Sequence, residues 1–159
     1  MIQTDPHITK APWNGKKELV ARTLVVDCSD GRLPDARVEF LAPPFVMGRH
    51  CPIFVPGGPG AIVSSASSPI VEEWMWGWIR MLHEANQFQR VIAIAHHDCK
   101  YYGNAHPGKT PEERHRIQLV ELADFVSKVS EFISGAQIET FFAEPASCGH
   151  TQYRRISRT

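Results

Sequence analysis

The 159-residue chain balances 17 Lys plus Arg against 17 Asp plus Glu, so no overall field draws in nucleic acid or an anionic membrane surface. That length suits one domain, 1–159, around one core. No apolar run nears the roughly 20 residues that cross a bilayer, and residues 1–10 lack a basic segment followed by an apolar one, so the expectation is a soluble, untargeted, cytoplasmic protein. Cys28, Cys51, Cys99 and Cys148 are accordingly expected as thiols rather than disulfides.

Residues 1–20 hold Pro6, Pro12 and Gly15 among polar residues and are expected as an N-terminal arm. Leu24-Val25-Val26 is a short β-branched run, the pattern of a strand buried on both faces of a parallel sheet. Residues 33–51 fit either a short helical turn or an edge strand. Pro52-Ile53-Phe54-Val55 reads as a second strand, ended by the loop Pro56-Gly57-Gly58-Pro59-Gly60. Ser68-Pro69 then supplies an N-cap and an N1 proline. Val71, Trp74, Met75, Trp78, Leu82 and Ala85 form the apolar stripe of the helix that follows, with Trp76 off the stripe and free for a partner chain.

Residues 89–95 make a third strand, and 96–108 a polar, glycine-containing loop. Thr110-Pro111-Glu112-Glu113 is a capping box opening a second helix, with Leu119, Leu122, Ala123, Val126, Val129 and Ile133 as its stripe and Gly135 as its stop. Residues 138–142 form a fourth strand, and 145–159 a C-terminal tail with the basic run Tyr153-Arg154-Arg155. This succession predicts an α/β fold, a mainly parallel central sheet flanked by helices. In the common 2-1-3-4 order, strands one and three lie side by side at the switch point, and ligands bind beyond their carboxyl ends.

Both of those ends carry chemistry. Strand one runs into Cys28-Ser29-Asp30-Gly31-Arg32, and strand three into His96-His97-Asp98-Cys99. Two thiols and an imidazole suit Zn²⁺, so Cys28, His96 and Cys99 are the candidate metal ligands, one short of a closed tetrahedral shell. Asp30 is placed to orient water held there, or to close the site as a fourth ligand. Arg32 can hold that carboxylate ionised in a two-pronged pair. His97 and His106 are read as solvated neighbours, and His50 with Cys51 as too few donors for a second metal. The glycine segment at 57–60 lacks the Gly-Lys-Ser/Thr of a phosphate loop.

The paired Cys-x-Asp-x-Arg and His-x-x-Cys motifs resemble the signature of the β-class carbonic anhydrases, over residues 20–142. The resemblance implies that zinc-bound hydroxide hydrates CO₂ to bicarbonate, with Cys28, His96 and Cys99 on zinc and Asp30 with Arg32 as the catalytic dyad. It also implies a homodimer or higher homo-oligomer. The chain departs from the family at Val55-Pro56-Gly57-Gly58-Pro59-Gly60, where an Arg-Asn-Ala-Gly-Asn-like segment is usual, and at Lys100, where glycine is usual. Carbonyl sulfide and carbon disulfide therefore stand beside CO₂ as substrates. A catalytically silent zinc protein and a metal-free thiol enzyme are the alternatives.

Overall fold

Leu24, Val25 and Val26 have no exposed surface, because β1 (Thr23–Cys28) is flanked on both sides. β2 (His50–Val55) and β3 (Arg90–His96) pair with it in parallel, Thr23 lying opposite His50 on one side and Arg90 on the other. β4 (Gln137–Pro145) continues the sheet in parallel beside β3, and β5 (Thr151–Arg155) closes it antiparallel to β4. The order is β2-β1-β3-β4-β5, the expected arrangement with one strand added. These features come from a computed structural model that describes residues 21–46, 49–64 and 66–156; the arm expected at 1–20 lies outside the described residues.

The added strand falls within the segment expected as a tail. Gly149, at φ 83°, turns the chain back, and Ala146 donates its N–H to the His150 carbonyl at 2.8 Å. Arg154 and Arg155 then pair with Glu144 and Glu139 on β4. A strand held by cross-strand ion pairs has no apolar alternation to read.

Side chains alternate across the pleat and so build two cores. Leu24, Val26, Val91 and Ala93 pack with Met75, Trp76 and Ile79 of α3 (Pro69–Asn86) and with Leu122, Phe125 and Val129 of α5 (Pro111–Phe132). Val25, Ile92, Ile94 and Phe141 pack with Leu41 and Val46, just beyond α1 (Pro34–Phe40). The segment that fitted two readings is therefore helical. Its Phe40 ring stacks on Tyr153 of β5 at 3.9 Å.

α5 begins at the capping box, Thr110 accepting from the Glu113 N–H while the Glu113 carboxylate accepts from the Thr110 N–H. On α3 the expected stripe is displaced. Trp76 is buried, stacked against Phe125 at 5.5 Å and Phe132 at 5.2 Å, while Trp74 is 64% and Trp78 42% exposed. Spacing alone gives the two faces equal claim; the aromatic partners on α5 decide which one turns inward.

Two segments expected as loops are helical. Residues 56–60 lead into α2 (Gly58–Val63), and 96–108 contain α4 (Lys100–Ala105). Each is a short helix lying just past a strand end, where tertiary contacts rather than propensity stabilise so few residues. Together they wall the space above the carboxyl ends of β1 and β3.

Candidate metal centre

Cys28 is the last residue of β1 and His96 the last of β3, and Cys99 is the N-cap residue of α4. Adjacent parallel strands thus deliver all three side chains to one point. The two sulfurs stand 3.8 Å apart, and one donor atom from each residue lies within 4.8 Å of the others. All three residues are buried, at 4%, 3% and 5% exposure for Cys28, His96 and Cys99.

His96 supplies the deciding detail. Its Nδ1 lies 2.9 Å from the His97 carbonyl oxygen and so carries the proton, which leaves the lone pair on Nε2. That atom is buried and has no hydrogen-bond partner. A ligating imidazole has this form, one nitrogen fixed by a carbonyl and the other free for the ion. The Cys28 thiol is pulled well below its ordinary value by the Cys99 thiol, against burial, with His96 and the Gly57 N–H assisting. Cys99, facing that thiolate and buried, is pushed up. Burial opposes the His96 imidazolium, but the Cys28 thiolate outweighs it and raises the ring. Such a cluster calls for a cation, and its two sulfurs and one nitrogen fit zinc.

Asp30 and Arg32 lie beside the cluster and outside it. Arg32 Nε donates to Asp30 Oδ1 at 2.9 Å and Nη2 to Oδ2 at 2.8 Å, a two-pronged pair. This holds the Asp30 carboxyl far below the usual range, although Arg32 itself is half exposed. The same guanidinium donates to the Asp98 carboxylate at 3.1 Å and to the Asp98 carbonyl at 2.7 Å. Asp98 sits at φ 52°. Arg32 therefore ties the turn after β1 to the turn after β3.

The glycines of the 56–60 segment have definite work. Gly57 adopts φ 86°, and a Cβ there would meet the Tyr101 ring at 2.5 Å; its N–H donates to Cys28 Sγ at 3.3 Å. At Gly60 a Cβ would strike the Tyr102 hydroxyl, which donates to Glu121 Oε2 at 2.5 Å in the buried interior. In front of the cluster lies a cavity of about 560 Å³, lined by Cys28, Asp30, Pro56, Gly57, Tyr101 and Asn104 among others.

Beneath the cluster is a buried ion pair. Asp27 is fully buried, and Arg37 of α1 donates to its Oδ2 at 2.5 Å. The Cys28 N–H donates to Asp27 Oδ1 at 2.6 Å, and Arg37 Nη2 donates to the Cys28 carbonyl at 2.7 Å. Burial nonetheless raises the Asp27 carboxyl, against the opposing pull of Arg37. This pair fixes the backbone that carries Cys28.

Comparison with protein-family models gives no match, and neither does comparison with curated proteins. Solved structures do match. A tetrameric β-carbonic anhydrase of Sordaria macrospora superposes with TM-score 0.52 at 12% identity, over 87% of this chain and 83% of that one. A carbonic anhydrase of Glaciozyma antarctica gives TM-score 0.50 at 16% identity, over 88% of each chain. A β-carbonic anhydrase of Aspergillus fumigatus gives 0.50 at 8% identity, over 92% and 94%. The chain has the β-carbonic anhydrase fold.

On that fold, the three donors read from the sequence come together, and Asp30 and Arg32 pair as the motif suggested. His97 is solvent-exposed at its residue surface, whereas His106 is not simply solvated: its ring lies 6.2 Å from Tyr102, and its Nε2 is buried without a partner. His50 and Cys51 begin β2 and join no metal cluster among the described residues. Sequence reasoning passed over Asp27, Arg37 and Asp98. A carboxylate at the end of an apolar strand was a visible signal for Asp27; nothing in the spacing announced Arg37 as its partner.

Proposed function

We propose that the protein is a zinc lyase that hydrates CO₂ to bicarbonate, with carbonyl sulfide and carbon disulfide as close analogues of its substrate. One observation carries the reading: buried His96, its Nε2 unpartnered, is clustered with two thiols, beside a carboxylate already taken up by Arg32. Cys28, His96 and Cys99 would hold Zn²⁺, which when bound supplies a Lewis acid that acidifies water. Three donors leave a tetrahedral ion one position short, the condition for catalysis rather than for a structural site.

Asp30 then acts as an acceptor. Because Arg32 keeps it ionised, it accepts a hydrogen bond from the entering water and aims the oxygen lone pair at the electrophilic carbon. A C–O bond forms and the water's proton passes to solvent; Asp30 is too weak a base to keep it. Arg32 and Asp98 hold the carboxylate in place, and the Cys28 sulfur is fixed by the Gly57 N–H. The apolar backbone wall at Pro56 and Gly57 suits a small, uncharged, linear substrate.

We also propose that the chain works as a homodimer or higher oligomer in a reducing, cytoplasmic setting. Ile70, Trp74, Trp78 and Met81 form an exposed apolar face on α3, the kind of patch that marks an interface. The similar Sordaria macrospora enzymes are tetrameric. Four free cysteines accord with a reducing compartment, and no helix of the described residues is long and apolar enough to cross a membrane.

Zinc per chain and stopped-flow CO₂ hydration test the proposal, with carbonyl sulfide and carbon disulfide assayed alongside. Protein that takes up no zinc ends it. Zinc-loaded protein that turns over none of the three substrates leaves the metal centre and removes the enzyme.

A further inference from the structure

Behind the metal cluster lies a second, smaller cavity of about 100 Å³. Cys99 lines both chambers and so forms part of the wall between them. The walls of the small chamber include His97, Asp98, Arg114, His115, Gln118 and Phe142. Arg114, His115 and Gln118 come from the N-terminal half of α5 and turn toward the chamber at one-turn spacing.

The second observation is Gln118. Its residue surface is 4% exposed, yet its amide enters none of the side-chain hydrogen bonds of the described residues, in contrast to the satisfied Tyr102–Glu121 pair one turn away. Gln118 lines the small cavity, and its amide has no side-chain partner among the described residues.

The charges agree. Arg114 donates to the Lys109 carbonyl at 2.9 Å and makes no ion pair with a carboxylate among the described residues. Arg154, which lies near His115, is neutralised by Glu144. His115 touches the Phe142 ring edge-on at 4.5 Å and makes no hydrogen bond among the described residues. The one carboxylate in the wall, Asp98, is engaged by Arg32. What remains free in the chamber is a set of donors: a guanidinium, an amide and an imidazole.

We propose that this chamber binds a small oxyanion, with Arg114 and Gln118 as its principal ligands and His115 as a third donor. The volume of about 100 Å³ equals that of about three liquid water molecules. It has room for an oxyanion the size of bicarbonate, nitrate or formate. The inference stands apart from the catalytic reading, because none of its three ligands touches the metal cluster or the Asp30–Arg32 pair.

The test is nuclear magnetic resonance of the ¹⁵N-labelled full chain, zinc-loaded and zinc-free, titrated with bicarbonate, with nitrate and with urea at constant ionic strength. Urea is a planar uncharged mimic of the anions. Both anions should shift the Gln118 side-chain amide and the Arg114 Nε–H saturably in both metal states, and urea should not. Arg114→Gln removes a charged donor and should weaken the anions by about tenfold or more; Asp30→Asn should leave the titration unchanged. Gln118→Leu should also abolish the shift at Arg114. Failure of the anions to saturate, an equal response to urea, or unchanged affinity in Arg114→Gln with native circular dichroism would overturn the assignment. So would Gln118→Leu protein that is more stable and still binds, since the chamber would then be only a packing void.

Discussion

Replacing Arg37 by Met should strand a charge in the most buried part of the sheet. Asp27 has no exposed surface and Arg37 only 9%, and the guanidinium gives Asp27 its shortest contact, at 2.5 Å. Breaking a buried pair from one side costs about 3–5 kcal/mol, because the partner stays buried without compensation. For a domain of this size each kcal/mol moves the melting temperature by about 2–4 °C, so Arg37→Met should melt roughly 10 °C below the parent at pH 7. The penalty should depend on pH with a definite sign. Burial already raises Asp27 above its ordinary 3.8 in the folded chain, and losing Arg37 raises it further. The folded variant thus holds this proton more tightly than the unfolded chain does. Its stability should be favoured below the ordinary value and fall as pH rises through the folded one, so the deficit narrows as pH is lowered from 7 toward 3.8. Adding Asp27→Asn, whose amide oxygen still accepts the Cys28 N–H, should recover all but about 1–2 kcal/mol. Circular dichroism melts across pH provide the assay. A deficit under about 1 kcal/mol at pH 7, or one that does not change with pH, would refute the account of this pair.

Other consequences are open to measurement. Asp30→Asn should keep its zinc, measured by metal analysis, and lose about a hundredfold or more in kcat/KM for CO₂, since only the orientation of water is removed. Gly57→Ala, forced to φ 86° against the Tyr101 ring, should lower stability by about 1–3 kcal/mol in urea unfolding and weaken zinc retention against a chelator. Tyr102→Phe leaves the Glu121 carboxylate buried without its donor and should cost about 1–3 kcal/mol in the same unfolding experiment. Trp74→Ser with Trp78→Ser should lower the assembled mass in sedimentation while leaving the melting temperature nearly unchanged; an unchanged assembly would place the interface elsewhere.

What could be read from the sequence was whatever one residue type in one local pattern determines. Val25 and Val26 announced a central strand, and the two motifs announced a shared donor cluster, because parallel topology brings the ends of β1 and β3 together. Thr110 and Glu113 announced the start of α5. Features that depend on a distant partner were not legible. Trp76 turns inward because Phe125 and Phe132 receive it, and β5 pairs because Glu139 and Glu144 face its arginines. The glycines at 57–60 looked like a breaker, yet the contacts of Gly57 and Gly60 with Tyr101 and Tyr102 show what their missing side chains permit. A local rule cannot see the surface against which a helix is laid.

Two of the three candidate donors and most of the wall of the cavity in front of them have separate foundations. Cys28 and His96 end the two central strands, buried along nearly all their length, whereas much of the cavity wall belongs to the short segments around α2 and α4. The third donor, Cys99, caps α4, and Gly57 holds the Cys28 sulfur; substitutions elsewhere in those segments can reshape the chamber without moving the strand ends. Such a division lets the shape of the chamber drift through a few loop residues while the strand ends stay where they are.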